Sequence, residues 1–155
     1  MSRFVCLRGS SVGVIGLLLS GIACAQTQPV PSSCDDQKFL GDQQAFEAGG
    51  DHALDLPEHV CGTVTRVSRQ RTTRSGLHGY FMVDVGQNQW VRIVSDLDEM
   101  DAPAWPWVHK GDKAEIVGRY YYDNRRSQGI DWTHHGTGRE WSIPGYVVVN
   151  GTKYQ

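Results

Sequence analysis

The sequence lacks an apolar run long enough to span a bilayer. Its longest run, SVGVIGLLLSGIA, covers residues 11–23, whereas a spanning helix needs about 20 residues. Arg3 and Arg8 precede this run, and the small residues Ala-Cys-Ala follow it, ending at Ala25. This order is typical of a bacterial secretory signal peptide, residues 1–25, that is cleaved after Ala25. We therefore expect a periplasmic or secreted protein whose mature chain has no transmembrane segment.

A lipoprotein anchor is the alternative at the same position. Cys24 follows Gly-Ile-Ala, which loosely resembles the motif in which a cysteine is acylated. The leucine that usually stands three residues before that cysteine is replaced by Gly21. Cleavage after Ala25 is therefore the favoured interpretation.

An excess of positive charge is also missing. The chain has 15 Lys and Arg residues against 17 Asp and Glu residues, and two of the arginines lie in the signal peptide. The mature chain therefore carries a net charge of about −4 with neutral histidines, which does not favour general attraction to nucleic acid or anionic lipid.

Cysteine is scarce, and this makes its pairing predictable. Of four cysteines, Cys34 and Cys61 alone follow the signal peptide. An even number of cysteines in an exported chain predicts a disulfide between these two. Closing a loop of about 27 residues stabilises a fold by roughly 3.5 kcal/mol in the chain-entropy model. No reduced cysteine remains as a nucleophile, and no serine lies in a Gly-x-Ser-x-Gly motif, so nucleophilic hydrolysis is not favoured.

The rest of the chain divides into a leader and one domain. Residues 26–33 are rich in Gln, Thr, Pro and Ser, which predicts a flexible leader. The domain, residues 34–155, begins with aspartates that suit a helix start, and a Gly-Gly pair follows. Phe39, Leu40 and Phe46 fall on one face between them. We expect a short amphipathic helix that is tied to the domain by the disulfide.

After Pro57 the apolar pattern changes to period two, which is typical of β-strands. Five segments are predicted to be strands: HVCGTVTRV, GYFMVDV, QWVRIVS, KGDKAEIVGRYYYD and GIDWTH; GYVVVNGTKYQ is a sixth, short extended segment. Pro103 and Pro106 argue against a long helix between the third and fourth strands. The pattern predicts an all-β fold, a small five-stranded OB-like barrel preceded by a short N-terminal helix.

The same half of the chain resembles a family of small, uncharacterised bacterial exported proteins. The resemblance rests on KGDKAEIVGRYYYDN, GIDWTHH, IPGYVVVN and NGTKYQ, and on GLHGYF with Gly76, His78 and Phe81. It covers roughly residues 60–155. The family has a His-Trp-Thr-His-His signature and is a domain of unknown function. The resemblance therefore implies an exported protein with an OB-like barrel, and no activity.

This chain departs from the family signature. Asp131 replaces the first histidine, Gly136 replaces an acidic residue after the two histidines, and VSDLDEM replaces a His-Asn pair. If the family's histidines form a metal site, part of that site is missing here. The departures weaken the metal hypothesis for this chain.

The stretch DWTHHG contains the candidate metal or catalytic residues. A regular strand places Asp131 and His135 on one face and puts His134 on the other. The Cβ atoms of Asp131 and His135 would then lie about 13 Å apart, too far for one zinc ion. His134 with His78 from another strand is the better pair for a metal. Asp131 with His134, or Asp84 with His78, could activate water. The favoured alternative is that the histidines hydrogen-bond to loop backbone and hold the end of the strand.

A binding surface is the third possibility. The segment RVSRQRTTRSG is predicted to connect the first two strands, a ligand-contacting loop in OB-folds, and it carries Arg66, Arg69, Arg71 and Arg74. Aromatic residues follow near strands four and five: Tyr120, Tyr121, Tyr122, Trp132 and Trp141. Arginines beside aromatics suit single-stranded nucleic acid or an anionic glycan. The alternative is a solvated loop whose charges keep the protein soluble.

Trp105 and Trp107 flank Pro106 and are candidates for an exposed patch that binds another protein. Packing at the end of a small barrel is the favoured alternative for them.

These observations favour an exported, non-catalytic binding module, with an anionic polymer or a protein as its partner. The predicted ligand-binding residues are Arg69, Arg71, His78, Trp132, His134 and His135. One alternative is a metal-assisted hydrolase, nuclease-like, that uses His78, His134 and His135. Another is an envelope or inhibitor protein that binds a protein partner. The sequence identifies no ligand, cofactor, metal or oligomeric state.

Overall fold

The computed structural model describes residues 29–50, 56–136 and 143–155. The described part is mostly β, with one short helix and seven strands in a single sheet, as the period-two pattern predicted. None of the helical structure in these ranges is long and apolar enough to cross a membrane. The predicted signal peptide lies outside the described residues.

The elements follow one another along the chain in the order helix, then strands. The helix is α1 (Asp36–Glu47), and the strands are β1 (Leu56–Thr73), β2 (Gly76–Asp84), β3 (Trp90–Asp96), β4 (Lys113–Asn124), β5 (Ser127–Asp131), β6 (Tyr146–Val149) and β7 (Thr152–Tyr154).

The helix α1 forms where the sequence predicted it. The Asp35 carboxylate accepts a hydrogen bond from the backbone N–H of Lys38 at 2.9 Å, which satisfies one of the unpaired donors of the first turn. Phe39 is fully buried, and Leu40 and Phe46 are 6% exposed. The predicted disulfide joins Cys34, just before the helix, to Cys61 in β1, with the two Cα atoms 5.5 Å apart.

The strands are hydrogen-bonded in the order β1-β2-β3-β5-β4-β6-β7, and β1 pairs with β4 as well. The pairing of β3 with β5 is parallel, and the others are antiparallel. Five strands therefore form a ring of pairings, and β6 and β7 extend the sheet from β4.

The long strand β1 changes partner near Gly62. Residues Leu56 to Thr63 pair with β4, and Thr63 to Thr73 pair with β2. A Cβ atom at Gly62 would lie 2.1 Å from the carbonyl oxygen of Asp84. A side chain cannot be accommodated there, so glycine is required where the backbones come this close.

The structure corrects three details of the predicted strands. The sixth extended segment is a hairpin, β6 and β7, because Asn150 and Gly151 both have positive φ angles and form its turn. The segment with Arg66, Arg69 and Arg71 is not a loop but the second half of β1. The fifth strand ends at Asp131 rather than continuing to His134.

The core contains the tryptophans that were candidates for an exposed patch. Trp107 is 7% exposed, and Trp105 packs partly buried against the same cluster. The Trp105 Nε1–H donates to the carbonyl oxygen of Ser68 at 3.0 Å, and the ring centroids of the two tryptophans are 5.4 Å apart. Both side chains therefore serve packing, the interpretation that the sequence favoured.

A buried charged cluster joins α1 to β1. Lys38 Nζ lies 2.7 Å from Glu58 Oε1 and 2.8 Å from Asp42 Oδ2. Glu58 is fully buried, and its Oε2 atom has no hydrogen-bond partner among the described residues. Burial raises the pKa of Glu58 to about 8, against the opposing effect of the Lys38 ammonium. We call Lys38, Asp42 and Glu58 the helix cluster.

Candidate functional site

A cleft of about 510 Å³ lies on the outward face of the sheet, where side chains from β1 to β5 converge. Its chemistry is mixed, with cations, aromatic rings, carboxylates, hydroxyls and two histidines. The lining residues are Ser68, Arg71, Thr73, Ser75, His78, Tyr80, Arg92, Val94, Asp96, Tyr121, Asp131, Trp132 and His134.

An irregularity in β1 brings Arg71 to the cleft. Ser68 pairs with Tyr80 and Arg71 pairs with His78, so three steps along β1 match two steps along β2. The extra residue is a β-bulge, which changes the face on which later residues lie. Because of the bulge, both Ser68 and Arg71 line the cleft, although an odd spacing would separate them in a regular strand. Arg69, inside the bulge, does not line it.

Arg92 and Tyr121 form the floor of the cleft. The Arg92 Nε–H donates to the Tyr121 hydroxyl oxygen at 3.0 Å, and the guanidinium also lies 5.7 Å from the centre of the Tyr121 ring. Gly129 of β5 makes room for this pair, since a Cβ atom there would lie 3.0 Å from the Tyr121 hydroxyl and 2.5 Å from the Arg92 carbonyl oxygen. Burial raises the pKa of the Tyr121 hydroxyl, while nearby Arg92 lowers it. The hydroxyl therefore stays protonated at neutral pH.

Asp131 and Trp132 line one side of the cleft, and both contact Arg119, which does not line it. Arg119 donates two hydrogen bonds to Asp131, Nε–H to Oδ1 at 2.8 Å and Nη2–H to Oδ2 at 2.7 Å. Its guanidinium carbon also lies 3.6 Å from the centre of the Trp132 ring. This bidentate pair is the strong kind of ion pair, so the charge of Asp131 is largely offset by Arg119.

The backbone of Trp132 overturns the predicted alternation. Trp132 has a φ angle of +50°, a left-handed conformation that is uncommon for a bulky residue. Asp131, Trp132 and His134 consequently line the same cleft, and the prediction that they lie on two faces is wrong. Thr133 is fully buried and donates to the Val94 carbonyl oxygen at 3.1 Å, which fixes this segment against β3.

The two cleft histidines are held in the same way. His78 Nδ1 lies 2.9 Å from the Gly76 carbonyl oxygen, and His134 Nδ1 lies 2.8 Å from the His135 carbonyl oxygen. A carbonyl only accepts, so each Nδ1 carries the hydrogen and donates it. In the neutral ring each Nε2 is then an acceptor, able to take a proton or bind a metal.

Of the two cleft histidines, His78 alone has a carboxylate neighbour among the described residues. Its Nε2 lies 3.7 Å from Asp96 Oδ2. Within residues 29–50, 56–136 and 143–155, no group of three or more His, Cys, Asp or Glu side chains is arranged to hold a metal ion. His135 is exposed and does not line the cleft. The histidines predicted as one cluster are therefore divided, with His78 and His134 in the cleft and His135 outside it.

The arginines that line the cleft differ from the neighbouring Arg119 in their salt-bridge partners. Arg119 is paired with Asp131. By contrast, no carboxylate of the described residues forms a salt bridge with Arg71 or Arg92. Arg71 is exposed and Arg92 is half-buried. A half-buried guanidinium whose protein partner is a neutral hydroxyl has capacity to bind an anion.

The cleft thus contains four of the six residues predicted for ligand binding, namely Arg71, His78, Trp132 and His134. Of the predicted aromatic surface, Tyr120 lies in the core at 1% exposure, and Trp141 falls outside the described residues. Sequence reasoning missed Tyr80, Arg92 and Asp96. The alternation of Arg92 with Val91 and Ile93 was the available signal that its side chain points away from the core.

Comparison of the sequence with protein-family models found no match, and comparison with curated proteins found no similar sequence. The resemblance to the family of exported proteins with a His-Trp-Thr-His-His signature remains a prediction.

Proposed function

We propose that this chain is an exported, non-catalytic binding module whose cleft takes an anionic ligand. The observation that carries the proposal is Arg92, a half-buried cation at the floor of the cleft that donates to the neutral Tyr121 hydroxyl. Transferring a charge out of water is costly unless an opposite charge compensates it. A phosphate, sulfate or carboxylate of the ligand would supply that charge.

Arg71 and the aromatic rings support the same proposal. Arg71 reaches the cleft from β1 and adds a second cation. Tyr80, Tyr121 and Trp132 supply flat apolar surfaces beside the two arginines. Guanidinium groups form bidentate hydrogen bonds with phosphate and carboxylate. The rings of a ligand stack on aromatic side chains.

The proposed fold is OB-like. The pairing order β1-β2-β3-β5-β4, with β4 returning to β1 and with β3 parallel to β5, supports this assignment. The position of the cleft supports it as well, since OB-folds bind ligands on the face of strands 2 and 3 between two loops. Export is supported by the Cys34–Cys61 disulfide, which suits an oxidising compartment.

The test measures binding of two anionic probes at low salt, a fluorescein-labelled oligothymidylate tetranucleotide and a fluorescein-labelled heparin tetrasaccharide, by fluorescence anisotropy. We expect at least one to bind. Arg92→Ala should weaken that binding about 10-fold to 100-fold, since a hydrogen bond to a charged group contributes about 1.5–3 kcal/mol.

Two further variants make the test specific. Arg92→Lys keeps the charge but cannot form bidentate hydrogen bonds with the anion. The affinity of this variant for the probe should therefore lie between those of wild type and Arg92→Ala. Lys110→Ala removes an exposed cation from the turn before β4 and should bind like wild type. The proposal fails if neither probe binds, or if Arg92→Ala folds normally and binds as wild type does.

A further inference from the structure

A second, smaller groove of about 190 Å³ adjoins the cleft. Its walls include Gln43 of α1, Trp90 of β3, and Arg125, Arg126 and Gln128 around the turn from β4 to β5. Arg92 lines the groove as well as the cleft. The two cavities are therefore neighbours that share one cation.

The two cavities lie one after the other along β3. Val91 and Ile93 are buried, so the alternate residues Trp90, Arg92 and Asp96 point outward. Trp90 lines the groove, Arg92 lines both cavities, and Asp96 lines the cleft. From Trp90 to Asp96 the strand extends about 20 Å at roughly 3.3 Å per residue. This path is long enough for several repeating units of a polymer.

Like the cleft, the groove combines an aromatic ring with arginines. Trp90 is 52% exposed. Among the described residues it is the one large apolar side chain that is exposed. Arg126 is exposed and forms no salt bridge with a described carboxylate, whereas Arg125 lies 3.4 Å from Glu47 while remaining 74% exposed. An indole and a cation without a counter-ion thus stand at the far end of the path.

Resting on the proposed function, we propose that the ligand is a single-stranded nucleic acid that lies along β3, from the cleft across Arg92 into the groove. Bases stack on Trp90 at one end and on the cleft aromatics at the other. Phosphates between them contact Arg92 and Arg126. The path accommodates about four nucleotides, the lower end of the site sizes known for single-strand-binding domains.

The arrangement of the aromatic rings favours a nucleic acid over an anionic glycan. Aromatic rings line both cavities on the two sides of Arg92, and planar bases use such surfaces repeatedly along a strand. Each guanidinium can bind a phosphate with two hydrogen bonds.

The experiment compares binding of labelled oligothymidylates of increasing length, a dinucleotide, a tetranucleotide and an octanucleotide, to the whole protein. The octanucleotide should bind about tenfold more tightly than the dinucleotide, because it reaches the groove and gains base stacking. Trp90→Ala should remove most of this gain while leaving dinucleotide binding unchanged. Trp90→Phe should retain it, and Arg126→Ala should weaken binding of the tetranucleotide and the octanucleotide but not of the dinucleotide.

The outcomes separate this proposal from the proposed function. If all lengths bind equally, Trp90→Ala changes nothing and Arg92→Ala still weakens binding, the cleft binds an anion but the extended path is wrong. If a heparin octasaccharide binds and the oligonucleotides do not, the ligand class is wrong. If no probe binds, both proposals are wrong. Thermal unfolding of each variant checks that the fold is intact, and the length dependence of the wild type tests the path without any substitution.

Discussion

Two cations in this molecule stand in opposite surroundings. In the helix cluster, the Lys38 ammonium contacts two carboxyl groups, those of Asp42 and Glu58, at 2.8 and 2.7 Å. In the cleft, the Arg92 guanidinium donates to the neutral hydroxyl of Tyr121. The first cation is compensated by the protein itself, which makes it a structural element. The second forms no salt bridge with a described carboxylate, which leaves it able to recognise an anion.

The comparison predicts that the two regions respond differently to mutation. Substitutions in the helix cluster should lower stability and leave ligand affinity unchanged. Substitutions in the cleft should do the reverse. A variant that changes both quantities would break the distinction.

The largest effect is expected for Lys38→Met. The substitution removes the partner of the fully buried Glu58 carboxyl group, and removing one member of a buried pair costs about 3–5 kcal/mol. We expect the free energy of unfolding, measured by urea denaturation at pH 9, where the Glu58 carboxyl group of the wild type is ionised, to fall by about this amount. The tetranucleotide affinity of the folded protein should stay at the wild-type value.

Lys110→Met is the matched control, since Lys110 is exposed and outside both regions. Its free energy of unfolding should differ from wild type by less than about 0.5 kcal/mol. An equally small effect of Lys38→Met would show that the helix cluster contributes nothing to stability.

The next effect is the pH dependence of stability that comes from Glu58. Burial raises the pKa of Glu58 from 4.5 to about 8 in the folded protein, so the folded state binds this proton more tightly than the unfolded state. The stabilising contribution is complete below about pH 4.5 and is lost as the pH rises through about 8.

Glu58→Gln removes this proton and should flatten that part of the profile. We expect the wild type to lose about 4 kcal/mol relative to Glu58→Gln between pH 4.5 and 8, measured as the difference between two series of urea denaturation curves. Parallel profiles for the two proteins would mean that Glu58 ionises equally in the folded and unfolded states.

The helix α1 and its attachment to β1 were easier to predict than the geometry of the cleft. The helix, its capping aspartate and the disulfide follow from local patterns, such as Phe39, Leu40 and Phe46 on one face. Period-two alternation located the strands, and it contains the signal, missed in the sequence analysis, that Arg92 points outward. The neighbour of Arg92 was not predictable, because Tyr121 reaches it across β5, and strand order is a long-range property.

Two local departures from regular geometry explain the remaining errors. The alternation rule assumes a regular strand, and the chain breaks it with a bulge before Arg71 and with the positive φ angle of Trp132. Neither position is occupied by glycine, so the sequence gives no signal of the change. Both departures bring side chains into the cleft. Sequence reasoning therefore predicted the mostly β class and the short helix correctly, and divided the site residues wrongly.

The smallest expected effect comes from two arginines of one strand, Arg69 and Arg71. Both are exposed and carry the same charge, but Arg71 lines the cleft and Arg69 does not. Arg71→Ala should weaken octanucleotide binding about threefold to tenfold and reduce the slope of log K against log salt by about 0.7, the value for one phosphate contact to a single strand. Arg69→Ala should leave both quantities at the wild-type values. Equal effects of the two substitutions would mean that the ligand is attracted by the total charge of the hairpin of β1 and β2. The cleft would then not be the anion-binding site.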